Sequence, residues 1–99
     1  MMLGDKVSAT EAERIGMIYK VFADESFADE SFKIAFTLSQ MPTRGLALTK
    51  QALNASSQNN METQLLLEDE LQFKAANTRD YAEGVQAFID KRKAIFKGE

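Results

Sequence analysis

Two clusters of charged residues are where this sequence offers groups for chemistry. Glu68, Asp69 and Glu70 are consecutive, and grouped carboxylates are a starting point for a metal site or for acid–base catalysis. Near the C-terminus, Lys91 begins a run of three cations, and Phe88 stands three residues before it. An aromatic surface beside cations suits a nucleotide, because the ring faces the base and the cations attract the phosphates.

We expect the acidic cluster to be a solvated face of a helix. The side chains of adjacent Glu68 and Asp69 diverge by about 100° on a helix, so they do not converge on one ion. No second group of oxygen ligands has the spacing of a calcium loop. The sequence therefore predicts no metal site. It also contains no group that is visibly catalytic, and so predicts no catalytic residue.

The basic cluster has two interpretations that the residues alone leave open. Cations at the C-terminal end of a helix are favoured by the helix dipole, and this alone would explain Lys91. The other interpretation is a phosphate contact, since the i, i+3 spacing puts Phe88 and Lys91 on one face of a helix.

The composition excludes several classes of protein. The 99 residues contain no histidine, cysteine or tryptophan, which excludes Ser-His and Cys-His nucleophiles, disulfides and ordinary zinc sites. A net charge of −3 argues against nucleic acid as a partner. No apolar run exceeds three residues, so we expect no membrane partner, no signal-peptide core and a cytoplasmic location.

The elements that would position these residues are mainly helical. Ser8 and Glu11 have the spacing of a capping box, and Gly16 is suited to end the helix that follows. The apolar, partly β-branched segment from Met17 to Phe22 predicts a short strand or an extended segment. Asn77 and Thr78 are suited to cap the last helix. The predicted fold class is mainly α, with about five helices and at most one short strand. The predicted helices are residues 9–15, 26–40, 43–55, 61–76 and 79–91.

Six short segments stand in an order that is typical of one superfamily. They are Leu3 to Ala9, Glu11-Ala12 with Gly16 to Ile18, Lys50 to Asn54, Glu68 with Glu70-Leu71, Thr78 to Gly84, and Ala87 to Gly98. Together they resemble the C-terminal part of the crotonase (enoyl-CoA hydratase/isomerase) superfamily. Within it, four stretches are most similar to the isomerase type that rearranges ring-epoxidised phenylacetyl-CoA. These are Pro42-Thr43, Gly45-Leu46, Lys50 to Ala52, and Asp80-Tyr81 with Glu83 to Val85.

The resemblance implies that these residues are the C-terminal helical region of the crotonase fold, as a single region over residues 1–99. Residues 1–22 would hold a short helix and strand, and residues 23–99 a helical part for trimerisation and for covering coenzyme A. The N-terminal spiral core of the family, which supplies the oxyanion-hole amides and the acid–base carboxylates, is expected to be absent from this sequence.

The resemblance also implies a function. The parent enzyme would act on acyl-CoA thioesters through an oxyanion-stabilised enolate, and this chain, inactive alone, would provide subunit assembly and part of the CoA site. Phe88 and Lys91 match the aromatic residue and the lysine that approach the adenine and its phosphates in the hydratases. The expected partners are the acyl-CoA substrate, whose coenzyme A is no separate cofactor, and further copies of the chain as a trimer or a dimer of trimers.

Two other functions are open at this stage. One is a stand-alone helical oligomerisation or interaction module without catalysis. The other is an acyl-CoA-binding module, which needs a complete pocket that one terminal basic cluster hardly builds.

Overall fold

A computed structural model describes residues 4–99 and confirms the mainly α fold class. Within this range the chain forms five α-helices and no strand. They are α1 (Ala9–Arg14), α2 (Phe27–Ser39), α3 (Thr43–Ser56), α4 (Met61–Ala76) and α5 (Arg79–Ile89). The predicted ends of α4 are correct, and those of the others lie within two residues. Leu3, the first residue of the resemblance, lies outside the described part.

The segment from Met17 to Phe22 forms no strand. One of its backbone N–H groups donates to a carboxylate of α1 instead of to a neighbouring strand. Glu13 accepts the N–H of Val21 at 2.8 Å and pairs with the ammonium of Lys20 at 2.6 Å. A side chain of α1 thus replaces the strand partner that this segment would need. The segment is not extended throughout either, because residues 17–19 form a bend in which the N–H groups of Met17 and Ile18 donate to the carbonyl of Ala12 on α1.

The capping box predicted for α1 is half formed. The hydroxyl of Ser8 accepts the N–H of Glu11 at 3.1 Å, as predicted. The carboxylate of Glu11 does not return the contact, because it accepts two hydrogen bonds from the guanidinium of Arg14. Gly16, with a φ of +76°, ends α1 in the left-handed conformation that its position predicted.

The structure divides into two compact units, one ending at Ile34 and the other beginning at Ala35. Helix α2 spans this boundary. The division into residues 1–22 and 23–99 stays a prediction. The second unit contains the charged and aromatic residues of the basic cluster.

In the second unit, α3 packs against α4, and α4 contacts α5. The side chain of Gln64 on α4 donates to the carbonyl of Ala52 on α3 at 3.2 Å and accepts from Asn59 in the turn. Leu71 is buried on α4 and Ala87 is buried on α5. The predicted cap is confirmed, because the Thr78 hydroxyl accepts the N–H of Tyr81 at 3.1 Å and starts α5.

Much of the apolar surface of this unit is exposed. An apolar stripe on α5 lies outside the core, and its four residues are all exposed: Tyr81, Val85, Phe88 and Ile89. Leu65, Leu66 and Phe73 are exposed on α4. Among residues 4–99, no helix is both long and apolar enough to cross a membrane.

Candidate functional site

The chain after α5 folds back along that helix and is anchored by a buried aspartate. Asp80, only 3% exposed, accepts the N–H of Lys97 at 2.7 Å and the N–H of Gly98 at 2.8 Å. Its own N–H donates to the carbonyl of Glu99 at 2.9 Å. We call residues 92–99 the tail. Its end is therefore fixed to the first turn of α5 by three backbone contacts.

A second carboxylate one helical turn later holds the start of the tail. Glu83 accepts from both terminal nitrogens of Arg92, at 2.6 Å and 2.9 Å, and from the N–H of Ile95 at 2.8 Å. The Arg92 guanidinium, followed by the Ile95 N–H, lowers the pKa of Glu83 to about 2. The same contact raises the pKa of Arg92. Glu83 is therefore ionised at neutral pH, and its two oxygens are engaged by Arg92 and Ile95.

The tail contacts the helices at two glycines, and one of them requires the absence of a side chain. A Cβ added to Gly84 would stand 3.5 Å from the ring of Phe96, an ordinary contact distance, so this ring packs beside α5. A Cβ added to Gly98 would stand 2.6 Å from the Thr43 hydroxyl, and Gly98 has a φ of +77°. The tail therefore reaches both α5 and the start of α3.

The end of α5 corrects the geometry predicted for Lys91. The helix was expected to include Lys91, but it ends at Ile89. The N–H of Lys91 donates to Phe88 and the N–H of Arg92 donates to Ala87, which is the pair of bonds of a Schellman motif. Lys91 occupies its left-handed position, with a φ of +54°. Lys91 thus follows Phe88 closely, but the two do not share a helix face.

Of the three consecutive cations from Lys91 to Lys93, only the two lysines are available to an anion. Arg92 is engaged by Glu83 and also contacts Asp90 at 3.3 Å. Within the described part of the chain, the ammonium groups of Lys91 and Lys93 have no hydrogen-bond or ion-pair partner. These two lysines flank the paired arginine.

Phe88 borders an apolar cleft of about 420 Å³. The ring of Phe88 is 85% exposed, and the ring of Phe96 from the tail lines the same cleft. Lys91 is not among the residues that line it. The remaining lining residues are Pro42, Gly45, Ala75, Thr78, Asp80, Tyr81, Gly84 and Val85.

The acidic cluster is a solvated helix face, as predicted. Glu68, Asp69 and Glu70 are exposed on α4. Glu68 accepts from Gln64 at 2.8 Å, and Glu70 pairs with Lys74 on the next turn. Among residues 4–99, no group of three or more carboxylates is placed to hold a metal ion.

Sequence reasoning missed the roles of Asp80 and Glu83. Both lie in the segment from Thr78 to Gly84, whose resemblance to the superfamily gives no role to either carboxylate. One feature of the sequence could have indicated these roles. Two carboxylates three residues apart are followed, in the same short C-terminal stretch, by four cations that could pair with them: Lys91, Arg92, Lys93 and Lys97. This pattern of charges does not predict that the tail, which has no regular structure, folds back along α5.

Comparisons of the sequence and of the structure with known proteins all lead to enzymes of acyl-CoA thioesters. The sequence model described as Enoyl-CoA hydratase/isomerase matches residues 1–99. A 1,2-epoxyphenylacetyl-CoA isomerase of Escherichia coli K12 is 44% identical over 99% of this chain and 37% of its own length. The crystal structure of an enoyl-CoA hydratase from Polaromonas sp. JS666 superposes with a TM-score of 0.88 and 26% identity, over 98% of this chain and 38% of that one. An enoyl-CoA hydratase from Bacillus anthracis gives a TM-score of 0.82 and 29% identity, over 94% and 36%.

Proposed function

Because the chain belongs to the enoyl-CoA hydratase/isomerase family, we propose that it is the C-terminal region of an enzyme that acts on acyl-CoA thioesters. The observation that carries this proposal is that the family's model matches every residue of the chain. The chain spans a little over a third of the length of the relatives it matches. We assign the oxyanion-stabilised enolate chemistry to residues outside this chain.

We assign no catalytic residue to this chain and propose that it is inactive alone. Asp80, which lines the apolar cleft, and Glu83, one turn further along α5, are both engaged as acceptors. Asp80 accepts two backbone N–H groups, and Glu83 accepts from Arg92 and Ile95. A carboxylate occupied in this way is poorly placed to take a proton from a substrate.

We further propose that Phe88 and Lys91 contact the coenzyme A part of the substrate. The exposed ring of Phe88 offers a surface for the adenine, and the ammonium of Lys91, which has no partner among residues 4–99, offers a charge for a phosphate. Although Lys91 has left the helix, its N–H donates to the carbonyl of Phe88 at 3.3 Å, so the two residues stay joined by the left-handed turn. No other cofactor is needed in this proposal, because coenzyme A enters as part of the thioester.

The same region is proposed to assemble the enzyme into a trimer or a dimer of trimers in the cytoplasm. Large apolar side chains remain exposed on α4 and α5, and surfaces of this kind mark interaction sites. Further copies of the chain are the partners that we propose for them. For the substrate, the similarity to a 1,2-epoxyphenylacetyl-CoA isomerase leads us to propose a ring-epoxidised arylacetyl-CoA.

An assay of the intact protein that carries these residues tests the proposal. It would be given ring-epoxidised phenylacetyl-CoA and, separately, a straight-chain 2-enoyl-CoA, with products separated by chromatography. We expect turnover of the first, and a Lys91→Ala variant with a raised KM and a nearly unchanged kcat. Turnover of neither thioester, with no binding of coenzyme A, would contradict the proposal.

A stand-alone oligomerisation module is the second candidate function. The exposed stripe on α5 favours it, because an interface needs such a stripe whether or not the chain serves an enzyme. The mass of the endogenous protein separates the two candidates. A polypeptide two to three times as long as this chain would favour the enzyme, and one near 11.1 kDa would favour the module.

A further inference from the structure

We propose that Glu83 and Arg92 are positioning residues for Lys91, an inference that rests on the proposed contact between Lys91 and coenzyme A. Arg92 directly follows Lys91 in the chain. Its two terminal nitrogens donate to the two oxygens of Glu83, at 2.6 Å and 2.9 Å. A bidentate contact of this kind fixes the orientation of the guanidinium as well as its distance from the carboxylate. It therefore restrains the backbone that carries Lys91.

The backbone on both sides of Lys91 is tied to α5. On the helix side, Lys91 and Arg92 donate their N–H groups to Phe88 and Ala87, at 3.3 Å and 3.0 Å. On the tail side, the N–H of Ile95 donates to Glu83 at 2.8 Å. A lysine in the left-handed conformation is costly and persists only where its surroundings over-determine it. The Glu83–Arg92 pair supplies that constraint.

The charges favour a positioning role for Arg92 over a direct contact with phosphate. The guanidinium is already paired with Glu83 and contacts Asp90, so a phosphate would have to displace a carboxylate. Lys91 and Lys93, by contrast, are unpaired within the part of the chain that the structure describes. The arrangement leaves the two lysines for the anion and uses the arginine between them to hold the turn.

The test measures the affinity of the intact protein for free coenzyme A by calorimetry. We expect Lys91→Ala to raise Kd about tenfold, as loss of a charged contact does. Arg92→Gln and Glu83→Gln should each raise Kd about three- to tenfold, because the lysine must then be ordered on binding. When either substitution is combined with Lys91→Ala, Kd should rise little beyond the value for Lys91→Ala alone, since both act through that residue. Arg92→Lys should restore part of the affinity.

Arg79→Gln is the matched control. It removes another arginine–glutamate pair between α5 and the tail, formed with Glu99 at 2.9 Å, at the end of the helix away from Lys91. We expect its Kd to equal that of the parent protein. Amide hydrogen exchange at Lys97 and Gly98 shows whether the tail stays folded in each variant.

The outcomes that overturn the inference differ from one another. If Arg92→Gln weakens binding and Glu83→Gln does not, Arg92 contacts the ligand directly. If Arg79→Gln weakens binding equally, the effect belongs to the tail as a whole. If only Lys91→Ala weakens binding, the positioning role is wrong and the proposed function stands. If Lys91→Ala has no effect, the proposed contact fails, and the positioning role fails with it.

Discussion

Asp80 and Gly98 are joined by a 2.8 Å hydrogen bond that ties the second residue of α5 to the end of the chain, eighteen residues later. Glu83, one turn further along the helix, holds the other end of the tail through Arg92 and Ile95. The two carboxylates therefore act as a pair of fixed points for a segment that has no regular structure of its own. Phe88 and Lys91 lie where this segment leaves the helix.

Replacing Asp80 should release the end of the tail. We expect Asp80→Ala to destabilise the protein by about 2–3 kcal/mol, because two backbone N–H groups lose a charged, buried acceptor. Asp80→Asn should cost less, since it keeps one oxygen. Urea unfolding measures the loss, and hydrogen exchange at Lys97 and Gly98 locates it. Unchanged exchange at these two amides in the alanine variant would contradict the prediction.

The stability of the protein should depend on Glu83 in acid. Its pKa is lowered to about 2 in the folded protein, by the guanidinium of Arg92 and the N–H of Ile95. The usual value of an unfolded glutamate is about 4.3, so the unfolded state binds the proton more readily. The stabilisation is therefore complete above about pH 5 and is lost as the pH falls toward 2.

A Glu83→Gln variant checks this dependence. It should be less stable than the parent at pH 7, and the difference between the two should shrink as the pH falls from 5 to 2. Thermal unfolding at a series of pH values measures both curves. A difference that stays constant over this range would mean that the charge of Glu83 contributes nothing to the folded state.

The sequence predicted where helices begin better than where they end. Ser8 and Thr78 mark the starts of α1 and α5 because a hydroxyl can accept an orphan N–H, and this chemistry is local. Gly16 marks the end of α1 for a similar reason. Lys91 occupies the same position of the same motif at the end of α5, but nothing in its residue type announces a left-handed turn.

The tail and its anchors depend on contacts that are distant in the sequence. Asp80 meets Lys97 and Gly98 only because the chain reverses after Arg92. A local pattern of charges does not encode such a reversal, so Asp80 and Glu83 read as ordinary acidic residues at the start of a helix. Phe88 is a candidate from its spacing to Lys91 and from the resemblance, and its ligand role stays a prediction. The structure exposes its ring, although the helix ends between the two residues.

Lys91→Gly should separate the structural role of this position from its proposed ligand role. A side chain in the left-handed conformation costs about 1–2 kcal/mol, and glycine avoids that cost. We therefore expect Lys91→Gly to be more stable than Lys91→Ala by about 1 kcal/mol in urea unfolding. Both variants should lose affinity for coenzyme A, because both lack the ammonium group. Equal stability of the two variants would show that the turn relaxes without glycine.

Gly98→Ala should be costly because of one atom on α3. The added Cβ would stand 2.6 Å from the Thr43 hydroxyl oxygen, in a backbone conformation with a φ of +77° that alanine already disfavours. Thr43→Ala removes that oxygen and leaves only the conformational cost, about 1 kcal/mol. In a double-mutant cycle followed by urea unfolding, Gly98→Ala should therefore cost clearly more with Thr43 present than with Thr43→Ala. An equal cost in both backgrounds would mean that the tail moves away from α3 instead of meeting Thr43.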